Sequence, residues 1–213
     1  INQYTIRAEN TAGSQRLAAG SKIMSAIKGR DAIYIWTDTA LFLMQFVGQP
    51  FTFAFQQAGT NCGLIGKNAA VEVDGSAYWM SENGFFTYDG QLKSMPCLVE
   101  DFVYDSLNSV PRDLFNAGVN NLFGEINWFY CSANSNVVDR VVTYNYLDSS
   151  RERPIWTVGS LDRTAWQDSA VYDKPHATYF DATDNASFDV TGNTDGSTIY
   201  YEHEIGTNQV DAG

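Results

Sequence analysis

The chain has 213 residues, 44% of them apolar and 14% aromatic, which is enough to bury a sizeable core and too hydrophobic for a disordered polypeptide. Its formal charge of −12, from 25 acids against 13 bases, excludes ordinary duplex binding, which draws its affinity from basic groups that displace phosphate counterions. No run approaches the roughly 20 apolar residues of a membrane-spanning helix. The first residues lack the basic-then-apolar order of a signal peptide. Three scattered cysteines, Cys62, Cys97 and Cys131, favour a reduced, intracellularly assembled protein over a disulfide scaffold.

Twelve Tyr, thirteen Phe and five Trp suit pleated, half-buried surfaces and predict an all-β fold. Residues 1–32, punctuated by Gly13, Gly20 and Gly29, read as an incoming strand and loops. From Ala32 the pattern changes to short apolar or alternating runs: Ala32–Trp36, Leu41–Met44 and Phe51–Phe55. Turn residues separate them, so they read as strands of a meander. A second unit starts at Val71-Glu72-Val73 and turns at Asp74-Gly75 into Ala77-Tyr78-Trp79-Met80. Asn83-Gly84, expected to form a type I′ hairpin with two positive φ angles, returns it into Phe85-Phe86-Thr87-Tyr88, and Asp89-Gly90 closes it. Between Leu98 and Asn116 the apolar residues Val99, Phe102, Val103 and Leu107 recur at helical spacing, ahead of Val110-Pro111. They predict one or two short helices outside the sheets.

A third unit runs through Glu125–Tyr130, Arg140–Tyr146 and Pro154–Val158. A fourth spans Thr164 to Ile205, with a polar stretch from Asp181 to Asp195 expected to be an exposed hairpin loop. Trp36, Trp79 and Trp128 lie 43 and 49 residues apart, the period of a four-stranded propeller blade. The expected fold is therefore β-propeller-like blades of antiparallel meanders at 21–58, 71–98, 124–159 and 161–205, with a helical insert at 99–116. Trp36, Trp79 and Trp128 are the expected structural core, in equivalent strands. Four such units do not obviously close a ring, and flanking sequence is expected at both ends.

Signals for chemistry are sparse. The two histidines, His176 and His203, have no zinc-ligand spacing. Gly63–Asn68 departs from a phosphate loop at both its first Gly and its hydroxyl position. No G-x-S-x-G elbow occurs. Carboxylates cluster at Glu100, Asp101 and Asp105 and at Asp181, Asp184, Asp189 and Asp195, the latter without the regular spacing of a calcium loop. Asn185-Ala186-Ser187 is a lone glycosylation sequon. The reading is of a non-enzymatic protein without metal, cofactor or catalytic residues.

Several short motifs recur in a fixed order: Ala26–Asp31 with Ile35–Asp38, Asn61–Ile65, Val71–Gly75 with Tyr78–Met80, and Phe85–Gly90 with Pro96-Cys97. Trp128–Tyr130, Asp139–Tyr146 and Arg163–Trp166 continue the series. In this order the chain resembles the β-propeller proteins of phage tails, the nozzle or hub proteins of short-tailed phages also described as packaged-DNA stabilisation proteins. The resemblance implies a structural virion protein assembled in the host cytoplasm and located in the tail. It implies a homo-oligomer, a hexameric ring below the portal and adaptor proteins, that meets tail fibres or a needle. Such a ring retains the genome and then passes DNA without specific binding. Acids at predicted strand turns, Asp38, Glu82, Asp89 and Asp148, are the candidates for a lumenal face that repels phosphate. The alternative is a carbohydrate-binding or glycoside-hydrolysing propeller, whose exposed aromatics stack on sugars and whose paired acids act on them.

Overall fold

The computed structural model describes residues 13–48, 51–168, 175–180 and 200–204. The fold is all-β, built from successive antiparallel meanders whose strands pair in chain order. Sheet 1 comprises β1 (Ile23–Lys28), β2 (Ile33–Thr37), β3 (Ala40–Phe46) and β4 (Phe53–Thr60). Sheet 2 comprises β5 (Ala70–Val73), β6 (Ser76–Ser81), β7 (Gly84–Tyr88) and β8 (Leu92–Met95). Sheet 3 comprises β9 (Asn116–Asn120), β10 (Glu125–Tyr130), β11 (Arg140–Asn145) and β12 (Trp156–Gly159). Among the described residues sheet 4 has three strands, β13 (Ala165–Gln167), β14 (His176–Phe180) and β15 (Tyr200–Glu204). The loop expected from Asp181 to Asp195, with its acids and the sequon, lies outside the described residues.

The sheets stack in series. The first strands lie side by side, β1 against β5, β5 against β9 and β9 against β13. Among the described residues no contact of similar extent joins β13 to β1. Side chains alternate across each sheet, so every sheet has a leading face toward its predecessor and a trailing face toward its successor. Tyr34 and Trp36, on the trailing face of sheet 1, meet Tyr88 and Trp79 of sheet 2. Phe85, on the trailing face of sheet 2, meets Trp128 and Trp156 of sheet 3. Phe129, trailing in sheet 3, meets Trp166 of sheet 4. Aromatic pairs of this kind contribute beyond their area of burial, and they recur at each of the three interfaces.

Four indole N–H groups tie sheets 2, 3 and 4 to the chain before them. Trp79 donates to the Cys62 carbonyl at 2.8 Å, Trp128 to Ala69 at 3.1 Å, Trp156 to Pro96 at 2.8 Å and Trp166 to Val119 at 2.7 Å. Gly118 is what lets Trp166 approach, because a Cβ there would sit 2.3 Å from the indole ring.

Trp36, Trp79 and Trp128 each occupy the second strand of their sheet and are fully buried. They are not equivalent in orientation. Trp79 and Trp128 lie on leading faces, whereas Trp36 lies on a trailing face, the position held by Met80 in sheet 2 and Phe129 in sheet 3. One residue of offset in a period-two strand turns a side chain to the other face, so the matching position in sheet 1 is Ile35. Among the described residues the Trp36 indole nitrogen has no hydrogen-bond partner.

The hairpin chemistry also differs from expectation. Asp74 (φ 50°) and Gly75 (φ 86°) supply the two positive φ angles of a two-residue loop, closing β5 onto β6 through Val73 and Ser76. At the β6–β7 turn the two loop residues are Glu82 and Asn83, and only the following Gly84 has positive φ, at 114°. The insert is shorter than 99–116: helix α1 spans Glu100–Asp105, a 3-10 turn spans Arg112–Leu114, and Asn116 already begins β9. Of its apolar residues Val103 is buried against the sheets, while Phe102 is exposed.

Candidate functional site

A cleft of about 650 Å³ lies between sheets 2 and 3. It exists because trailing Tyr78 and leading Tyr144 do not fill the space between their sheets: their rings stand 6.3 Å apart, tilted by 39°. Tyr144 is held from behind by Trp156, at 4.7 Å between centroids, and Trp156 is fixed by its bond to Pro96. The β7–β8 turn supplies Asp89 and Gln91 to the rim, β8 supplies Lys93, and the loop after β11 supplies Ser150, Arg151 and Pro154.

The rim carries defined charges. Lys93 donates to Asp89 at 2.5 Å, and the Gln91 backbone N–H donates to the same carboxylate. The Lys93 hydrogen bond is the main reason the Asp89 carboxyl lies below its ordinary range, against a smaller opposing effect of burial. Burial raises the Tyr78 phenol, and the neighbouring Tyr144 adds to it. The cleft thus offers two tyrosine faces, one fixed carboxylate, two cations and several hydroxyl and amide groups. Asp89 is the only carboxylate among its lining residues. A two-carboxylate glycosidase mechanism needs a second, so this cleft does not carry it.

The four turn acids are not brought together. Consecutive turns of a meander alternate ends, which puts Asp38 and Glu82 at one end of the sheets and Asp89 and Asp148 at the other. Asp38 receives hydrogen bonds from the Ser21 hydroxyl and backbone N–H, which hold its carboxyl below the usual range. Glu82 pairs with Arg112. Asp148 is exposed. In the insert, burial raises the Glu100 carboxyl, with adjacent Asp101 adding to it.

The three cysteines are free thiols; Cys62 and Cys131 are buried and Cys97 is half-buried. Among the described residues no group of three His, Cys, Asp or Glu side chains converges to hold a metal ion. No helix among them is long and apolar enough to cross a membrane. What the sequence did not reveal is the cleft itself. Tyr78 and Tyr144 belong to different sheets, and the only hint was the Asp89-Gly90 turn on its rim.

Against models of known protein families and against curated proteins, the chain gives no match.

Proposed function

We propose that the protein is a structural component of a phage tail, part of the nozzle or hub conduit that retains the genome and then passes it. The observation that carries this reading is the serial stacking of antiparallel meanders through aromatic faces, an architecture whose described residues are spent on holding sheets together. The ordered motifs that carry the resemblance fall on the strands and turns that build that stack: Ile35–Thr37 in β2, Val71–Val73 in β5, Tyr78–Met80 in β6 and Trp128–Tyr130 in β10. A net charge of −12 suits a wall that must not grip DNA. In this reading the chain is a homo-oligomer, arranged as a hexameric ring against the portal and adaptor proteins. The test is electron microscopy of particles bearing the protein. A ring coaxial with the DNA channel is the expected result; a protein found only away from tails would sink the proposal.

The cleft favours a second reading, a carbohydrate-binding module. Paired tyrosine faces with a carboxylate, cations and amides at the rim are the groups that stack on sugar rings and bind their hydroxyls. Calorimetry with oligosaccharides on the wild type and on Tyr78→Ala distinguishes it. Sugar binding that Tyr78→Ala abolishes supports this reading, and no heat with any sugar removes it.

A further inference from the structure

The cleft between sheets 2 and 3 is unbalanced in charge. Its lining residues include two cations, Lys93 and Arg151, and one carboxylate, Asp89. Lys93 is committed to Asp89 at 2.5 Å, so that pair is neutral as a unit. Arg151, on the opposite wall, makes no hydrogen bond or ion pair with any described residue. One positive charge is therefore left over in the cleft of a chain whose net charge is −12.

The turn that carries Arg151 is built from its own hydrogen bonds. Ser150 and Arg153 exchange backbone bonds at 3.1 and 3.2 Å, which leaves Arg151 and Glu152 as the two tip residues. The Ser149 hydroxyl accepts from the Ile155 N–H at 2.8 Å, and the Asn145 N–H donates to the Ile155 carbonyl at 3.1 Å, closing the foot of the loop. The backbone beneath the guanidinium is thus set before a ligand arrives, which lowers the ordering cost of binding. Glu152, the other tip residue, does not line the cleft. The facing wall is fixed in the same way, with the Gln91 N–H and Lys93 both donating to Asp89. Between the walls the Tyr78 and Tyr144 rings, 6.3 Å apart and tilted by 39°, form an open wedge.

We propose that the cleft selects an acidic sugar, a saccharide ring bearing one carboxylate, and that Arg151 receives that carboxylate. The inference rests on the carbohydrate reading of the cleft and adds the charge of the ligand to it. A guanidinium presents parallel N–H donors that match the two oxygens of a carboxylate, so it selects by geometry as well as by charge. The ring C–H groups meet the electron-rich faces of the tyrosines, and the sugar hydroxyls meet Gln91, Ser94, Ser150 and the remaining lone pairs of Asp89. The volume of about 650 Å³ lies within the range of roughly 300–1,000 Å³ usual for small-ligand sites. A long polyanion fits less well. At physiological salt charges are screened beyond about 8 Å, so a single sugar carboxylate responds to the lining of the cleft. An extended nucleic acid also runs past the rest of an acidic chain and is repelled by it.

The experiment is an NMR titration of the 213-residue chain with matched methyl glycosides, glucose against glucuronic acid and galactose against galacturonic acid. Each pair differs only in carrying a hydroxymethyl group or a carboxylate. At least one uronide should bind about tenfold or more tighter than its neutral partner, the effect of one charge-assisted contact, and the preference should shrink as salt is raised. Arg151→Gln, at an exposed turn tip, should equalise the pair and leave the affinity for the neutral sugar unchanged. No binding of any sugar removes the carbohydrate reading and this inference with it. Neutral sugars bound as tightly as the uronides keep that reading and overturn the inference. A preference that survives Arg151→Gln overturns it as well. So does displacement of the uronide by inorganic phosphate or by a thymidine oligonucleotide at lower concentration, which means an anion site indifferent to sugar.

Discussion

Trp36 and Trp79 meet edge to face across the first inter-sheet interface, their ring centroids 5.3 Å apart at 65°, and they approach it from opposite sides. The Trp79 nitrogen ends on the Cys62 carbonyl, and the Trp36 nitrogen meets no acceptor among the described residues. A buried, unpaired N–H costs about 1–3 kcal/mol, so the two indoles make unequal contributions.

This asymmetry gives a first prediction. Trp36→Phe removes a donor unsatisfied among the described residues along with some packing, whereas Trp79→Phe leaves the buried Cys62 carbonyl without its indole donor, and Trp128→Phe takes one of two donors from the Ala69 carbonyl, which keeps the Met80 N–H. Urea titration should show Trp36→Phe to be the mildest of the three. Truncation of any of them to Ala should cost about 3–5 kcal/mol. Trp36→Ala and Trp79→Ala should combine non-additively, because the rings touch. Equal losses for the three Phe variants contradict the assignment of the indole bonds.

Two glycines allow close approach, and their neighbours differ in what they can yield. A Cβ at Gly63 would lie 2.1 Å from the Asp38 backbone carbonyl oxygen, and one at Gly118 would meet the Trp166 side chain. Backbone held in a turn cannot move aside as readily as an indole. Gly63→Ala should therefore destabilise more than Gly118→Ala, which we expect to cost about 1–3 kcal/mol. Thermal melts of the two variants, with Gly118→Ala repeated in a Trp166→Ala background to relieve the clash, check the ordering.

The thiols predict an alkaline weakness. Burial pushes Cys97 up to about 12 and Cys131 up to about 11, whereas an unfolded thiol ionises near 8.5. Between those values the unfolded chain loses protons that the folded chain keeps. The share of stability that these thiols contribute at neutral pH should then decline as pH rises above about 9 and be lost by about 12, while the Tyr78, Tyr104 and Tyr130 phenols, also raised by burial, add to the loss at high pH. Melting temperatures across that range, compared with those of Cys97→Ser and Cys131→Ser, measure the effect; the serine variants should show a shallower decline. Native thiols should also resist alkylation at pH 8, and Cys97 should be the first to react.

At the cleft rim, Lys93→Met removes the hydrogen bond that lowers the Asp89 carboxyl, so the Asp89 titration followed by NMR should move upward toward its ordinary value. The exposed pair should matter little to stability, by less than about 1 kcal/mol. A titration unchanged by the substitution means the pair does not persist in solution.

The strands with apolar alternation, β2, β3, β6, β7, β10 and β11, were legible because their side chains write the period of two directly into the sequence. Strands β8 and β9 were not. Leu92-Lys93-Ser94-Met95 is a short outer strand with a polar middle. Asn116–Asn120 buries asparagines and a glycine, because it lies against β5 and β13 where Trp166 needs room. Nor could spacing alone show that Trp36 faces the opposite way to Trp79: a period near 43 residues fixes the strand and leaves the one-residue register open. The cleft was illegible for a related reason, since its walls meet only once sheets 2 and 3 have stacked.

The indole bonds all run backward along the chain, each later sheet donating to backbone that precedes it. Synthesis delivers residues in the same direction, at roughly 5–20 per second. When Trp79 leaves the ribosome the Cys62 carbonyl already exists, and the same holds for Trp128 with Ala69 and Trp166 with Val119. No sheet must wait for a later acceptor to satisfy its tryptophan. The stack can therefore grow as the chain emerges, each finished sheet acting as the template for the next.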